Sequence, residues 1–262
     1  MTSKRLLIEE DNSRKRRPTS KSPIWRYMSI HEALTLLLDR KLMFRQFKGL
    51  VRNDRKEGMI PSDFWESLDR AETEIPRNHR TARERGEAKL RTHLHVQYVS
   101  CWNWRKTENA LMWMSYAPLG IAVKTTIGKL ETVLRENKDE VLGVAKEAVI
   151  YADDWAELER HGFIHNGQIR SRLFLNLKRN LFRAEQEVRF RIDLRPTNSR
   201  DPNPKERPPL SYEQWPQWSP VIFEDLSWID EIVGDSAIYP WCVDSISNLC
   251  KQHKIRFRQS GR

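Results

Sequence analysis

The chain has 262 residues, 39% of them hydrophobic, which is enough for a substantial core. No apolar stretch approaches the roughly 18 residues that a membrane helix needs, and the polar N-terminus lacks the apolar centre of a signal peptide. These features exclude a membrane-spanning chain and predict a soluble cytoplasmic protein with no membrane partner.

The formal net charge of +10 predicts a surface that attracts polyanions, of which nucleic acid is the commonest. Many basic residues lie near the ends of the chain, so a solubilising tail and a solvated surface explain the charge equally well. The three cysteines, Cys101, Cys242 and Cys250, form no CxxC pair. Their spacing argues against a disulfide framework or a cysteine-only metal site and fits a reducing compartment.

Residues 1–22 are charged and poor in apolar side chains, which predicts a disordered basic leader. Residues 23–262 are predicted to form a single domain. It opens with a strand at Ile24 to Met28, a helix capped by Ser29 and a second strand at Leu42 to Phe47.

The middle of the chain begins with a charged helical insertion at about 48–90, and residues 92–104 then alternate like a strand. A short helix is predicted with Thr107 as its cap and an exit at Gly120, where a buried strand begins. A helix over 126–143 follows.

The second half is predicted as a strand over 146–154, mostly helix over 155–183, and a strand over 185–194. Residues 196–220 are rich in proline and predict a long loop, and the tail has a strand, helix, strand pattern. Helices thus interrupt strands in irregular order, which is typical of an α+β fold. Glycine-rich phosphate loops are missing from the sequence.

Two glutamates, Glu185 and Glu187, stand two residues apart in the predicted late strand and would share one face. Such carboxylates repel unless cations, water or a ligand compensate, and they can divide the work of binding a sugar and orienting a nucleophile. The alternative is an exposed edge strand on which Arg183, Arg189 and Arg191 neutralise them.

Arg26 lies on the first strand, opposite the face that Trp25 and Tyr27 share. A guanidinium can hold a phosphate oxygen pair bidentately. It can equally extend over its aromatic neighbours with no ligand.

A third group of candidates spans the middle strand and the short helix after it. Aromatic side chains here can form the walls of a pocket for a planar ring, or can simply belong to the core. The group comprises Ser100, Trp102, Trp104, Glu108, Met112, Trp113 and Tyr116.

Metal chemistry is the weakest reading. The pairs His93/His95 and His161/His165 have spacings that a zinc site can use, but no paired signature accompanies them. A carboxylate cluster of Asp153, Asp154 and Glu157 with Glu187 would suggest a metal-dependent nuclease. The sequence predicts no metal ligand set.

Taken in order, several segments resemble the bacterial family called domain of unknown function 2971 (DUF2971) from about residue 23 to the end. They are IWRYMS, NDRKEG, VSCWNW, ENALMWMSYAPLGIAVKTT, FRAEQEVRF and KIRFRQSGR. The family name carries no activity.

A more distant resemblance is to ADP-ribosyltransferases of the Arg/Ser/Glu type, in which NAD lies across a split sheet. That resemblance implies a single α+β domain with a split, mixed β-sheet flanked by helices. It also implies that Arg26 holds the phosphate and ribose and that Ser100 supports the nicotinamide side. Glu187 would bond the ribose 2′-hydroxyl, and Glu185 would activate the acceptor.

The same resemblance gives the remaining roles. Tyr27, Trp102, Trp113 and Tyr116 would form pocket walls, and Glu108 would hold Arg26 or a ribose. NAD would be the co-substrate of a mono-ADP-ribosyltransferase acting on nucleic acid or protein, in a toxin or phage-defence setting under an antitoxin or regulatory protein.

The competing class is a non-catalytic nucleic-acid module or a metal-dependent nuclease. In the binding version, bases would stack on Trp102, Trp104, Trp215 and Trp218.

Overall fold

The computed structural model describes residues 18–50, 97–137, 141–154, 157–158, 161–165, 168–169, 171–194 and 216–261. Almost all of the predicted insertion, including NDRKEG, lies outside these ranges, as do His93, His95, Trp215 and most of the leader and the proline-rich loop. Ser20 and Ser22, assigned to the leader, accept backbone hydrogen bonds from Gly128 and Ile127.

The chain opens with strand β1 (Pro23–Met28), helix α1 (Ile30–Asp39) and strand β2 (Lys41–Gln46), which confirms the predicted order. The Ser29 side chain accepts from the backbone N–H of Glu32, whose carboxylate accepts in return from that of Ser29. This capping box fixes where α1 starts. Arg40, with φ of 55°, ends it, and a helical turn α2 (Phe47–Leu50) follows β2.

The middle of the chain contains β3 (Gln97–Asn103), α3 (Ala110–Tyr116), β4 (Ile121–Thr126) and α4 (Ile127–Glu136). The predicted cap Thr107 is wrong. Asn109 caps α3 instead, because its side chain accepts from Leu111 N at 3.1 Å and its own N–H donates to the Tyr27 hydroxyl at 2.7 Å.

The segment predicted as mostly helix over 155–183 contains no long α-helix in its described parts, so that prediction is wrong. Its elements, with their neighbours, are β5 (Val141–Ala148), β6 (Ile150–Tyr151), β7 (Ile164–His165), β8 (Gln168–Ile169), a 3-10 helix at Ser171–Asn176, β9 (Leu177–Lys178), a 3-10 helix at Asn180–Glu185 and β10 (Glu187–Leu194). Tertiary packing overrides helix propensity here, since Phe163 and Phe174 stack edge to face at 4.9 Å in a separate small core.

The last elements are β11 (Trp218–Ile222), β12 (Glu231–Gly234), α5 (Pro240–Gln252) and β13 (Arg256–Gln259). The predicted strand, helix, strand tail is therefore confirmed. The long loop predicted over 196–220 is wrong at its end, because Trp218, Ser219 and Pro220 belong to β11 and pair with β2 at the edge of the sheet, where proline is tolerated. Strands β12 and β13 pair in parallel, which makes the sheet mixed because its other pairs are antiparallel.

Within the described residues, nine strands form one sheet. β10 pairs with the whole length of β3, so it occupies one edge of that strand. The other edge is shared: Tyr98 and Val99 pair with β2, whereas Asn103 pairs with β1. The sheet therefore forks at β3. One branch continues through β1, β4, β12 and β13, and the other through β2 and β11.

The main core lies on one face of the sheet beneath α1, α4 and α5, and Trp102 packs there against Phe190 and Trp228. A smaller cluster on the other face contains Trp25 and Trp113. The predicted mixed sheet with flanking helices is confirmed by this arrangement.

None of the helices in the described ranges is long and apolar enough to cross a membrane.

Replacing Ser29 by Ala should lower the free energy of unfolding by about 1 kcal/mol, because α1 loses its reciprocal cap. Urea denaturation followed by circular dichroism measures this loss. Ser245→Ala is the control, since its exposed hydroxyl caps nothing and donates only to Trp241 O. An equal effect of the two changes would contradict the capping role.

Candidate functional site

A cleft of about 270 Å³ opens at the fork, where β1 and β2 diverge from β3. Three cations and three carboxylates contribute to its lining. They are Arg26, Arg45, Lys178, Glu32, Glu185 and Glu187. Residues from the start, the middle and the last third of the chain therefore meet in one concavity.

The two sequence-predicted glutamates lie on different elements. Glu185 ends a 3-10 helix, Gln186 turns the chain with φ of 46°, and Glu187 begins β10. The predicted reason for their proximity, a shared strand face, is therefore wrong for Glu185. The exposed-edge alternative is also wrong, because both glutamates are at most 6% exposed and β10 lies between β3 and β5.

Lys178 lies between these two carboxylates. Its Nζ is 2.6 Å from Glu185 Oε2 and 3.0 Å from Glu187 Oε2. Arg189 Nε donates to Glu187 Oε1 at 2.6 Å, and its NH1 donates to Leu175 O at 2.7 Å. Two carboxylates and two cations thus form a buried, charge-balanced cluster, the arrangement that buried ions require.

The environments of the two carboxylates separate their protonation. Burial raises the pKa of Glu185, and repulsion from Glu187 adds to this against the attraction of Lys178. Burial would also raise the pKa of Glu187, but Arg189 and Lys178 outweigh it and hold that pKa well below its usual range. Glu187 is therefore a fixed negative charge, and Glu185 is the carboxyl group that can exchange a proton.

Three further neighbours form hydrogen bonds with the glutamates. Tyr116 donates from its hydroxyl to Glu185 Oε1 at 2.9 Å, and burial raises the pKa of Tyr116, which keeps it a donor. The Cys101 thiol donates to the carboxylate of Glu187. The buried side-chain amide of Asn103 donates to Glu185 O, which fixes the turn before β10.

Arg26 spans the fork. Its guanidinium donates to Ser100 Oγ on β3 and, at 3.0 Å, to Met43 O on β2, and it lies 3.5 Å from the carboxylate of Glu32. Arg26 is itself on β1, so a single side chain links the three strands that meet there. Its side chain is 11% exposed and lines the cleft.

Ser100 does not line the cleft. It pairs with Phe190, whereas Glu187 pairs with Asn103, and residues that alternate along β3 point to opposite faces. Ser100 is buried and accepts from both Arg26 and, at 2.9 Å, Trp102 Nε1. Its observed contacts hold Arg26 from the core side.

The remaining predicted residues divide into two groups. Tyr27, Trp102 and Tyr116 line the cleft, whereas Trp113 is fully buried and packs edge to face on Tyr27 at 5.1 Å. Glu108 lies elsewhere.

Glu108 accepts from Trp113 Nε1 at 3.0 Å and from Ser260 Oγ at 2.7 Å, and it pairs with Arg258 at 2.7 Å. The expected contact between Glu108 and Arg26 is not formed. Glu32, four residues after Met28, is the carboxylate beside Arg26.

Sequence reasoning missed Lys178 and Cys101, and it gave Arg189 only as a surface counter-ion. Lys178 was hidden in a segment predicted to be helical, so nothing marked it as a cleft residue. Of the three arginines proposed to neutralise the glutamates, only Arg189 contacts one. Arg183 donates to Asn180 at 2.8 Å, and Arg191 pairs with Glu147 at 2.9 Å.

The proposed metal ligands show no site in the part of the chain that the structure describes, where no group of three or more His, Cys, Asp or Glu residues is arranged to hold a metal ion. Asp153, Asp154 and Glu157 accept hydrogen bonds from one another's backbone and from Asn180. Those bonds organise a local turn.

Comparison with protein-family models, with curated proteins and with solved structures found no match.

Glu187→Gln should lower the free energy of unfolding by about 3 kcal/mol or more at pH 7, because it leaves Lys178 and Arg189 without their shared buried anion. The control, Asp39→Asn, breaks an ion pair with Lys41 in which both side chains are exposed, at 54% and 36%, and it should cost about 1 kcal/mol or less. Urea denaturation measures both.

The pH dependence follows from the lowered pKa of Glu187. A depressed pKa contributes stability that is complete above the unfolded value of about 4.3 and is lost as pH falls below it. The difference between wild type and Glu187→Gln should therefore be largest near neutral pH and shrink in acid. A difference that grows as pH falls would contradict the charge assignment.

Proposed function

We propose that the protein is an NAD-dependent enzyme of the ADP-ribosyltransferase type that transfers ADP-ribose to a macromolecule. The observation that carries this proposal is that Arg26, Glu185 and Glu187 line one cleft, so that a guanidinium and two carboxylates can contact one sugar-phosphate ligand. A nicotinamide-bearing ribose becomes cationic as its glycosidic bond breaks. The same two carboxylates would stabilise that developing charge.

The reaction balances with the groups present. The bond between C1′ of the ribose and the nicotinamide nitrogen breaks, and neutral nicotinamide leaves with the electron pair. A nucleophile of the acceptor then bonds to C1′ and gives up its proton. Glu187, held ionised by Arg189, supplies fixed negative charge at the sugar, which raises the rate because the charge develops only in the transition state.

Glu185 is suited to accept the proton of the nucleophile. Its pKa is raised by burial, so it is a stronger base than an ordinary glutamate, and Tyr116 orients it from the cleft wall. The division of labour implied by the resemblance to ADP-ribosyltransferases therefore has a physical basis in these two environments.

Arg26 and Arg45 would hold the phosphates. Arg26 is positioned in advance by Met43 O and Ser100, which lowers the cost of ordering it around a phosphate. Arg45 extends over the Trp218 ring with its Cζ 5.3 Å from the centroid. The cleft, at about 270 Å³, lies near the lower limit of about 300 Å³ for small-molecule sites, so it suits the nicotinamide riboside half of NAD.

The setting of a toxin or phage-defence effector, controlled by an antitoxin or regulatory protein, follows from the resemblance alone. The competing function is a nucleic-acid module that binds no NAD. One observation favours it: Trp218 is 42% exposed beside Arg45 and offers a stacking surface. Trp102, the other stacking candidate in the described residues that lines the cleft, is buried in the core.

Incubation of the purified protein with NAD should release nicotinamide, measured by liquid chromatography. Glu185→Gln should reduce the rate by about 100-fold or more, since it removes the base and retains an acceptor for Tyr116. Glu147→Gln, a glutamate change outside the cleft, should keep the wild-type rate. Wild-type activity in Glu185→Gln, or no nicotinamide from the wild type, would overturn the proposal.

The pH profile gives a separate test. Because the pKa of Glu185 is raised, kcat/KM for NAD should fall on the acid side with an apparent pKa above the ordinary value of about 4.3. Glu187 stays ionised over this range and cannot produce that limb. The limb should disappear from the residual activity of Glu185→Gln, and its persistence there would exclude Glu185 as the base.

A further inference from the structure

A second concavity of about 550 Å³ lies on the same face of the sheet as Trp25, which lines both it and the cleft. The strand register explains how it is built. Trp25 pairs with Lys124 on β4, Lys124 with Glu231 on β12, and Glu231 with Arg256 on β13, so these four side chains lie in one row. We call this concavity the basic groove.

The lining of the basic groove has an excess of positive charge. Four cations, Lys106, Lys124, Arg256 and Arg258, face two carboxylates, Glu108 and Glu231, which leaves a charge of 4 − 2 = +2. A concave surface of one sign concentrates ligands of the opposite sign. The expected ligand is therefore an anion with more than one charge.

The two arginines, Arg256 and Arg258, are oriented by the buried carboxylate of Glu231. Arg258 donates from Nε to Glu231 Oε1 at 3.0 Å, and Arg256 Nε forms an ion pair with the same oxygen at 3.0 Å. Glu231 is 5% exposed, whereas the side chain of Arg256 is 72% exposed. A guanidinium has five N–H donors, so the ion pair of Arg256 with Glu231 leaves donors of Arg256 facing solvent. Arg258 is held more fully, since it also pairs with Glu108 and donates to Gln259 O. The groove thus presents oriented donors of the kind that bind phosphate oxygens.

Glu108 is ionised and helps to orient Arg258. Burial would raise its pKa, but hydrogen bonds from Ser260, Arg258 and Trp113 lower it below the usual value. An ionised Glu108 holds Arg258 at 2.7 Å at neutral pH.

An exposed aromatic pair lies at the start of α5, which follows β12 and packs on the opposite face of the sheet from the groove. Tyr239 and Trp241 are stacked with centroids 5.8 Å apart and planes 6° from parallel, and they are 55% and 68% exposed. Ser260, which lines the groove, donates its N–H to Gly234 O at 2.8 Å. Tyr239 follows Gly234 by five residues, so its Cα is within about 18 Å of that contact.

We propose that the basic groove binds the phosphate backbone of single-stranded RNA or DNA and that unpaired bases stack on Tyr239 and Trp241. Oriented arginines and exposed aromatic rings are the combination that single strands use, because phosphates need cations and unpaired bases need flat apolar surfaces. A strand that leaves the groove past Ser260 can reach the rings at the start of α5. An acidic protein would use the cations alone and would have no need of the stacked rings.

The binding itself is independent of NAD. That the bound strand is the acceptor rests on the function proposed above, and the register supports it: Glu187, Asn103 and Trp25 continue the row that contains Lys124 and Arg256. Strands are about 4.8 Å apart, so Lys124 lies about 14 Å from Glu187 across the sheet.

The test uses the full chain and a fluorescein-labelled 20-nucleotide oligo(U) or oligo(dT), with fluorescence anisotropy recorded from 50 to 300 mM KCl without NAD. The double variant Lys106→Ala/Arg256→Ala should weaken binding at least tenfold at 50 mM KCl. It should also reduce the slope of log K against log salt by about 1.4, since each lost phosphate contact accounts for about 0.7.

The matched control is Lys41→Ala/Arg135→Ala. It removes the same charge from exposed side chains on β2 and α4, and β2 is five strands from β13. Trp241→Ala should weaken binding about tenfold, whereas Met114→Ala, at a 74% exposed apolar residue, should have no effect.

The outcomes separate the proposals. No binding at 50 mM KCl, or equal losses in the two double variants, overturns the groove. The proposal is also overturned if a 20-residue polyglutamate competes as strongly as the oligonucleotide and Trp241→Ala has no effect. That result would indicate an acidic protein partner. NAD hydrolysis is measured on the same samples without oligonucleotide, so either proposal can fail while the other stands.

Discussion

The site depends on the ion cluster in which the Lys178 ammonium lies between the carboxylates of Glu185 and Glu187. Two buried carboxylates at this separation repel each other strongly, and without a cation one of them would be protonated at neutral pH. Arg189 supplies the second positive charge and fixes Glu187 through a direct hydrogen bond. The four charges balance only as a set. The fold of the segment that carries them therefore also determines the electrostatics of the cleft. Changing one member leaves another buried and unpaired.

The fork in the sheet brings the other half of the cleft to this cluster. Strand β3 gives one edge to β10 and divides its other edge between β2 and β1. The backbone groups near the branch have no full ladder to join, and the guanidinium of Arg26 satisfies one of them by donating to Met43 O. It also donates to the Ser100 hydroxyl on β3. The Arg26 side chain links the branches of the fork and extends from the core face of the sheet toward the cleft. The same contact explains why Ser100, although buried on the opposite face, influences the site.

One cross-strand row connects the two surfaces for which functions are proposed. Glu187, Asn103, Trp25, Lys124, Glu231 and Arg256 are successive partners across six strands. Trp25 is the shared wall: it lines the cleft and the basic groove, donates to Arg105 O at 3.0 Å, and carries Lys124 over its ring at 5.1 Å. A rigid sheet holds acidic and basic ends of this row at a fixed spacing. Both surfaces would therefore act on one long anionic ligand without any movement of the fold.

Local patterns in the sequence determined the elements whose signals are short-range: the Ser29 helix cap, the buried strand β4, and the strand, helix, strand tail. They also identified the glutamate pair as carboxylates that need a compensating partner, since neighbouring carboxylates repel. Only the tertiary structure determined which residues pair with Arg26, Glu185 and Glu187. The 3-10 turns around Lys178 have no periodicity of their own and exist because Phe163, Phe174 and Leu177 pack in a separate core. Likewise, Arg258 rather than Arg26 pairs with Glu108 because strand register, which depends on contacts distant in sequence, places β13 beside β12.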